Sequence, residues 1–437
     1  MYTFPKMHAF APMALSLAVL LPGCSRACSG DGPLNETKRS EDTSPLALSE
    51  DARSALGALG YVTWSDIDAQ QAKLRGTTLY DTARSYKGLN YYCSENSGTL
   101  QFVDMVGNVV HSVQVDLTRI SRATNMCKLA KLYDSSSLVM LVSNYELVRV
   151  DLSSRVLWQR RGDFHHDLDV ATDGAVVSLA RRRRQDPIFD QKRQIIDNEI
   201  VTLDPHGQIR ERLSMAQMVA RVPPLLEKAI AHTKLPSKRP YGTANPRDVF
   251  HMNSIEVVDE TVRYEGGPSF EPGDLLFCSR HLDAIGVIDG RTRHIKWHWG
   301  TAELQWPHHA SLLPNGNIMV FDNGVLREAS RVLVVSPSSG EIVWKYEAEP
   351  PADFFSPARG AAQLLPNGNV LITDSPRGHV FEVTEEGDKV WEFWNPDLSA
   401  NESARATIYR MARLSRSELE NLNLPDDVRT RLRESGY

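Results

Sequence analysis

From Tyr91 to about Ala400 apolar and polar positions fall into short alternating or continuous apolar runs, broken at fairly even spacing by Gly, Asn and Asp. Such runs predict β-strands joined by tight turns. Three segments share one layout: Asp167 to Ala180 (DLDVATDGAVVSLA), Ala310 to Asp322 (ASLLPNGNIMVFD) and Ala361 to Asp374 (AAQLLPNGNVLITD). Each is a strand, an Asp-Gly or Asn-Gly turn and a second strand, the strongest short-range hairpin signal. A second unit recurs beside them, a strand, a polar turn and a strand closing on tryptophan: Tyr145 to Trp158, Ala284 to Trp297, Arg331 to Trp344 and His379 to Trp391. Weaker copies lie at Thr99 to Val115 and Glu199 to Leu213. Two hairpins make a four-stranded sheet, and a tandem series of such sheets every roughly 40 to 60 residues marks a β-propeller. The predicted fold is all-β, a six-bladed propeller over residues 91–400, with the closing tryptophans packing between blades.

The flanks differ. Lys6 and His8 precede an apolar stretch, Ala9 to Leu21, too short to span a bilayer, so residues 1–24 read as an export signal. It ends Leu21-Pro22-Gly23-Cys24, which resembles a lipoprotein processing box with Cys24 as the acylated residue. Ordinary signal cleavage is the alternative. Residues 25–48 are rich in Ser, Gly, Pro and charge, as a flexible tether is. Residues 49–90 are expected to form a helical extension, with helices at Glu50 to Leu59 and near Asp66 to Leu79, and residues 401–437 a helical end capped by Ser415 or Ser417. Between the predicted strands, Gln185 to Asn198 and Met215 to Asp248 are expected to carry helical or Pro-rich insertions, candidate lids over one end of the ring.

Composition narrows the function. A chain of 437 residues with 41% hydrophobic and 24% charged residues and a net charge of -6 can bury a large core and does not suit a nucleic-acid binder. The basic run Arg181 to Arg184 reads as a solvated loop. Membrane association is expected only through a lipid on Cys24, and nothing sets an oligomeric state. Cys28, Cys93, Cys127 and Cys278 have no metal-ligand spacing; Cys93 and Cys127 either pair or remain buried thiols. His165-His166 and His308-His309 lack the local carboxylates of a zinc motif, so no metal is expected.

Candidate chemistry lies in the histidines. His166 precedes Gly174, and His308 precedes Gly316, by eight residues each, so both enter a blade at the same place. His251 opens another blade and His379 begins the third strand of the last. Imidazoles from separate blades around one channel mouth, with Arg327 or Arg331 just past Phe321-Asp322-Asn323-Gly324, would suit transfer of an anionic group.

The stretches Asp248-Val249-Phe250-His251-Met252-Asn253-Ser254, Ser279-Arg280-His281, His308-His309-Ala310 and Phe321-Asp322-Asn323-Gly324 resemble the arylsulfotransferase family of bacterial periplasmic enzymes, over about His165 to Asp397. The resemblance implies a six-bladed propeller that moves a sulfuryl group from an aryl sulfate to a phenol through a sulfohistidine, without a nucleotide donor or other cofactor. No G-x-x-x-x-G-K-[ST] loop is present. It also implies catalytic roles for His251, His308 and Arg327, Arg331 being a close rival of the last, with His379 as nucleophile; substrate contacts are expected from His166, Asn253, Arg280, His309, Arg331 and Arg359. The chain lacks that family's large N-terminal β domain and its neighbouring disulfide pair. Two other readings remain: a quinone-cofactor propeller, since Ile288-Asp289-Gly290-Arg291-Thr292 to Trp297 resembles its docking turn, and a non-catalytic propeller that presents loops to a partner.

Overall fold

The computed structural model describes residues 63–434 apart from 96, 116–125, 144, 236–244, 246 and 265–266. The expected signal, Cys24, the tether and the helix at Glu50 to Leu59 lie outside the described residues.

Six sheets of antiparallel strands form the blades of the predicted propeller. The second blade is Cys127–Asp134, Ser137–Val142, Glu146–Asp151 and Val156–Arg161; the third is Phe164–Val170, Val176–Asp186, Asp190–Leu203 and Ile209–Ser214. The fourth is Met252–Val257, Leu275–Ser279, Ala284–Ile288 and Ile295–Trp299. The fifth is His309–Leu312, Ile318–Asp322, Arg331–Val335 and Ile342–Tyr346, and the sixth is Ala361–Leu364, Val370–Asp374, His379–Val383 and Lys389–Trp394. The first strands of successive blades abut around the axis and return from Ala361–Leu364 to Ile408–Leu414, so the ring is closed.

Closure corrects the reading of both ends. Ile408–Leu414, expected within a helical segment, is the inner strand of the first blade, completed by Leu89–Ser94, Thr99–Val103 and Val109–Gln114. Helices begin only afterwards, at Arg416–Asn421 and Asp426–Glu434, and Ser415 caps the former in a capping box with Glu418. The helix expected near Asp66 to Leu79 is instead a short 3-10 turn, Gln71–Lys73, and a strand, Gly76–Tyr80, that adds a fifth member to the outer edge of the sixth blade. An edge strand of the last blade presents unpaired backbone groups, and their demand for partners overrides the local helical pattern. Cys93 and Cys127 form a disulfide that ties the first blade to the second, with Cα atoms 5.4 Å apart.

The seams between blades repeat one device. A fourth-strand indole N–H donates to a carbonyl in the following blade's outer turn: Trp158 to Pro205 at 3.0 Å, Trp299 to Gly340 at 2.9 Å, Trp344 to Glu385 at 2.9 Å and Trp391 to Met105 at 2.8 Å. Trp299 takes the place expected for Trp297, which packs on Phe270 in the core. Where the tryptophan is missing, a His111 ring nitrogen bonds the Leu152 carbonyl at 2.8 Å, and Glu211 pairs with Arg293 at 2.8 Å. Long ring side chains thus serve packing and hydrogen bonding together at these seams.

Of the two insertions, Gln185 to Asn198 is no helix: it extends the hairpin Val176–Asp186 and Asp190–Leu203. Met215–Val219 and Pro223–Thr233 are helices, as expected, with Ser214 capping the first. They pack Leu225 and Ala229 against the Val249 and Phe250 region.

Candidate active site

Strand direction alternates within each blade, so the segments entering first strands and those leaving second strands reach the same end of the ring. His166 and His251 enter the third and fourth blades, Arg359 the sixth, and all three have left-handed backbones, with φ of 60°, 44° and 61°. Such a conformation costs a non-glycine residue about 1 to 3 kcal/mol and is kept where the surroundings enforce it. At His166 it marks a register shift within the first strand of the third blade, and at His251 and Arg359 it marks the approach to the first strands of the fourth and sixth.

In the third to fifth blades these entries converge. The His251 ring lies edge-on to His166 with centroids 4.9 Å apart, and His281, just past Leu275–Ser279, lies 4.9 Å from His251 on its other side. Asp248 accepts the His251 Nδ1–H at 2.6 Å. His281 donates its Nδ1–H to the Asp248 main-chain carbonyl at 2.5 Å and stacks on His232 of the helical insertion at 3.9 Å. His308 donates its Nδ1–H to Asn323 Oδ1 at 2.6 Å, and Asn323 is itself anchored by donating to the carbonyls of Ser356 at 2.6 Å and Arg359 at 2.7 Å. With Nδ1 protonated, His308 presents an Nε2 lone pair, and no described residue bonds it. Asn253 donates to the Pro307 carbonyl at 2.8 Å, tying the fourth blade to the loop that carries His308.

Arg280 sits among these rings. It is 4% exposed, its guanidinium lies 4.0 Å from the Trp306 ring centroid, and no described carboxylate pairs with it. Its Nε is buried without a hydrogen-bond partner. Burial pushes its pKa down to about 10, which leaves it charged at neutral pH. That charge acts on both His251 and His308. Burial first, and then Arg280, hold His308 well below the usual histidine value; burial likewise lowers His166, His281 and His251. Burial opposes ionisation of Asp248, but the adjoining His251 outweighs it and holds the carboxyl far below its usual range. The site holds one buried cation that no described carboxylate touches, although the Asp248 and Asp283 charges reach it, among imidazoles that burial keeps from protonating, a setting for an anion.

The other predicted site residues go elsewhere. His309 faces along the channel toward Arg410 and Lys131, whose charges pair with Asp167 and Asp169. Arg359 and Lys128 both pair with the buried Glu95, which also accepts from Thr407. Arg327 and Arg331 share Asp322, at 2.8 and 2.9 Å. Both are engaged by that carboxylate, whereas Arg280 has no described carboxylate in contact. His379 does not join the cluster: as part of a third strand it stands two strands out from the channel, stacked on Trp394 at 3.9 Å, with Nε2 2.9 Å from Glu392. Burial lowers its pKa to about 4. His379, expected as the nucleophile, thus stands apart from the imidazoles grouped near Arg280. Asp248, His281, Trp306 and Asn323 were given no role from the sequence, although three of them stand in the quoted stretches. Equal spacing reveals residues that enter blades, whereas those leaving second strands have no such ruler.

As for metals, Asp248, His251 and His281 each offer a ligand atom, all within 4.8 Å of one another. Cys278 is buried and unpaired, and with Cys93 bonded to Cys127 the described residues hold no adjacent-cysteine ring.

No curated protein matches the chain. Among solved structures, a protein of unknown function from Bacteroides caccae is similar at 10% identity and TM-score 0.47, over 75% of this chain and 99% of that one. The β-propeller domain of Myceliophteria thermophila Cps50 (Swd1) is similar at 12% identity and TM-score 0.41, over 77% and 90%. At these scores neither bears on function. The model of the arylsulfotransferase (ASST) family matches residues 130–396, which span five blades and every residue of the cluster. With a match over more than half its length, the chain belongs to the arylsulfotransferase family.

Proposed function

We propose that the protein transfers a sulfuryl group from an aryl sulfate ester to a phenolic acceptor, with Arg280 holding the sulfuryl oxygens and His308 as nucleophile. The observation that carries this is the buried Arg280 guanidinium, which has no described carboxylate partner and lies beside neutral imidazoles. A buried charge without a counter-ion is costly, and an anionic substrate would supply one.

The first half-reaction forms a bond from His308 Nε2 to sulfur while the sulfur–oxygen bond of the ester breaks and the phenolate leaves with the electron pair. The Nδ1–H stays on Asn323, which orients the ring and supports the positive charge that develops. In the second half an acceptor phenol attacks sulfur, its proton passes to His251 Nε2, and the nitrogen–sulfur bond breaks. Asp248 then stabilises the His251 imidazolium through the 2.6 Å bond, and His251 returns the proton to a leaving phenolate in the next cycle. Charge spreads over three sulfuryl oxygens in a loose transfer, and Arg280 is placed to stabilise it. Trp306, half-buried beneath Arg280, fixes the guanidinium plane.

The test is mass spectrometry after incubation with an aryl sulfate lacking an acceptor. A sulfuryl adduct on His308, absent from His308→Gln, is the expected result; an adduct on His379 would overturn the assignment. We place the protein outside the cytoplasm, held to a membrane by a lipid on Cys24, from its N-terminal pattern alone.

A further inference from the structure

Two atoms at this site take no part in the transfer and have no partner. Asp248 Oδ1 and His281 Nε2 are both buried without a hydrogen bond. Both are acceptors: Asp248 is a carboxylate, and His281 donates its Nδ1–H to the Asp248 carbonyl, which leaves a lone pair on Nε2. Neither can satisfy the other, so only a donor or a cation answers both. An imidazole that donates one nitrogen to a main-chain carbonyl and offers the other is the usual support of a metal ligand. His251 stands beside them, and a ligand atom of each of the three lies within 4.8 Å of the others.

We propose that Asp248, His251 and His281 bind a divalent transition-metal cation of the zinc and cobalt class. Two imidazoles and one carboxylate favour such a cation over calcium or magnesium, and three protein ligands leave a position open. The ligands come from two segments, 248–251 and 281, which meet because Met252 pairs with Ser279 across the first two strands of the blade. The Asp248 carboxylate favours the cation, whereas the Arg280 charge nearby opposes it. Filling the site inhibits transfer. A metal on His251 Nε2 takes the lone pair that receives the acceptor's proton; a metal on Nδ1 forces the proton onto Nε2 with the same result. The metal site stands apart from the reading of the reaction, and the inhibition rests on it.

The experiment titrates the full chain with Co²⁺ and follows its visible absorption, with Zn²⁺ as competitor. One saturable equivalent is expected, bound at least about tenfold more weakly by His281→Ala and by His281→Gln and more tightly by Arg280→Met, with circular dichroism confirming that each variant is folded. Absence of a saturable spectrum, or undiminished affinity in both folded His281 variants, overturns the site. Zn²⁺ is expected to inhibit aryl-sulfate turnover in the wild type, with the Zn²⁺ needed for half-inhibition rising at least about tenfold in His281→Gln. Turnover that requires added Zn²⁺ overturns the inhibitory role. Should the protein lack sulfotransferase activity, the cobalt titration still decides the metal site.

Discussion

Replacing Arg280 with methionine should make the protein more stable and far less active. The two effects have one origin. Burial lowers the guanidinium pKa from its ordinary value to about 10. For a cation the folded-state penalty is fully present below the folded value and is relieved only as pH rises past about 10. At neutral pH, at 1.36 kcal/mol per pH unit, it is on the order of 3 kcal/mol. Methionine fills a similar volume without charge. It forfeits the guanidinium stacking on Trp306, at 4.0 Å, worth about 1 to 2 kcal/mol. The net gain is about 1 to 2 kcal/mol, a rise of a few degrees in melting temperature. Loss of a donor aimed at developing charge should lower kcat/KM by about 100-fold to 1,000-fold. Thermal denaturation and release of a chromogenic phenolate, with a phenol acceptor at saturation, measure the two. A variant that loses both stability and activity would show that the guanidinium has a structural counter-ion, and one that keeps its activity would remove Arg280 from the reaction.

Further outcomes follow from the same physics. His165, His166, His308 and His309 are all held below 6.5 by burial, so below pH 6.5 the unfolded chain takes up protons that the folded one refuses. Each of these histidines should cost up to about 1.4 kcal/mol of stability per pH unit beneath that value, while Glu256, pushed up by burial to about 8, and Asp197 and Asp374, pushed up to about 6, work the other way; His309→Gln should therefore gain stability relative to the wild type between pH 7.5 and 5.5, and an unchanged difference in urea midpoint would refute this. Trp391→Phe removes the donor to the Met105 carbonyl at the seam of the sixth and first blades and should cost about 1 to 3 kcal/mol in urea unfolding without altering KM. If Cys24 is acylated, metabolic labelling with a fatty acid should mark the wild type and not Cys24→Ser, and equal labelling of both would exclude that anchor.

The propeller was legible because its signals are local. Asn-Gly turns between alternating strands, as in Ala310 to Asp322, state a hairpin wherever they occur, and repetition states the blade. The ends were misread for the opposite reason. Ile408–Leu414 is a strand only because Leu89–Ser94, more than three hundred residues earlier, offers it an edge. Nothing within Ala404 to Leu414 announces that partner. Trp297 and Trp299 both suit a seam, and the register of their strand with Ala284–Ile288 chose between them.

At the site, spacing placed His166 and His308 at one height on the axis, since each lies eight residues before a turn glycine, and both, with His251, reach one end of the ring. Distance from the axis was decided by tertiary structure alone. His379 lies at the same end yet two strands out, and Arg327 neutralises Asp322 while Arg280 stays charged beneath the imidazoles. Chain spacing measures position along a strand, but which charges are paired depends on residues that meet only when the ring closes.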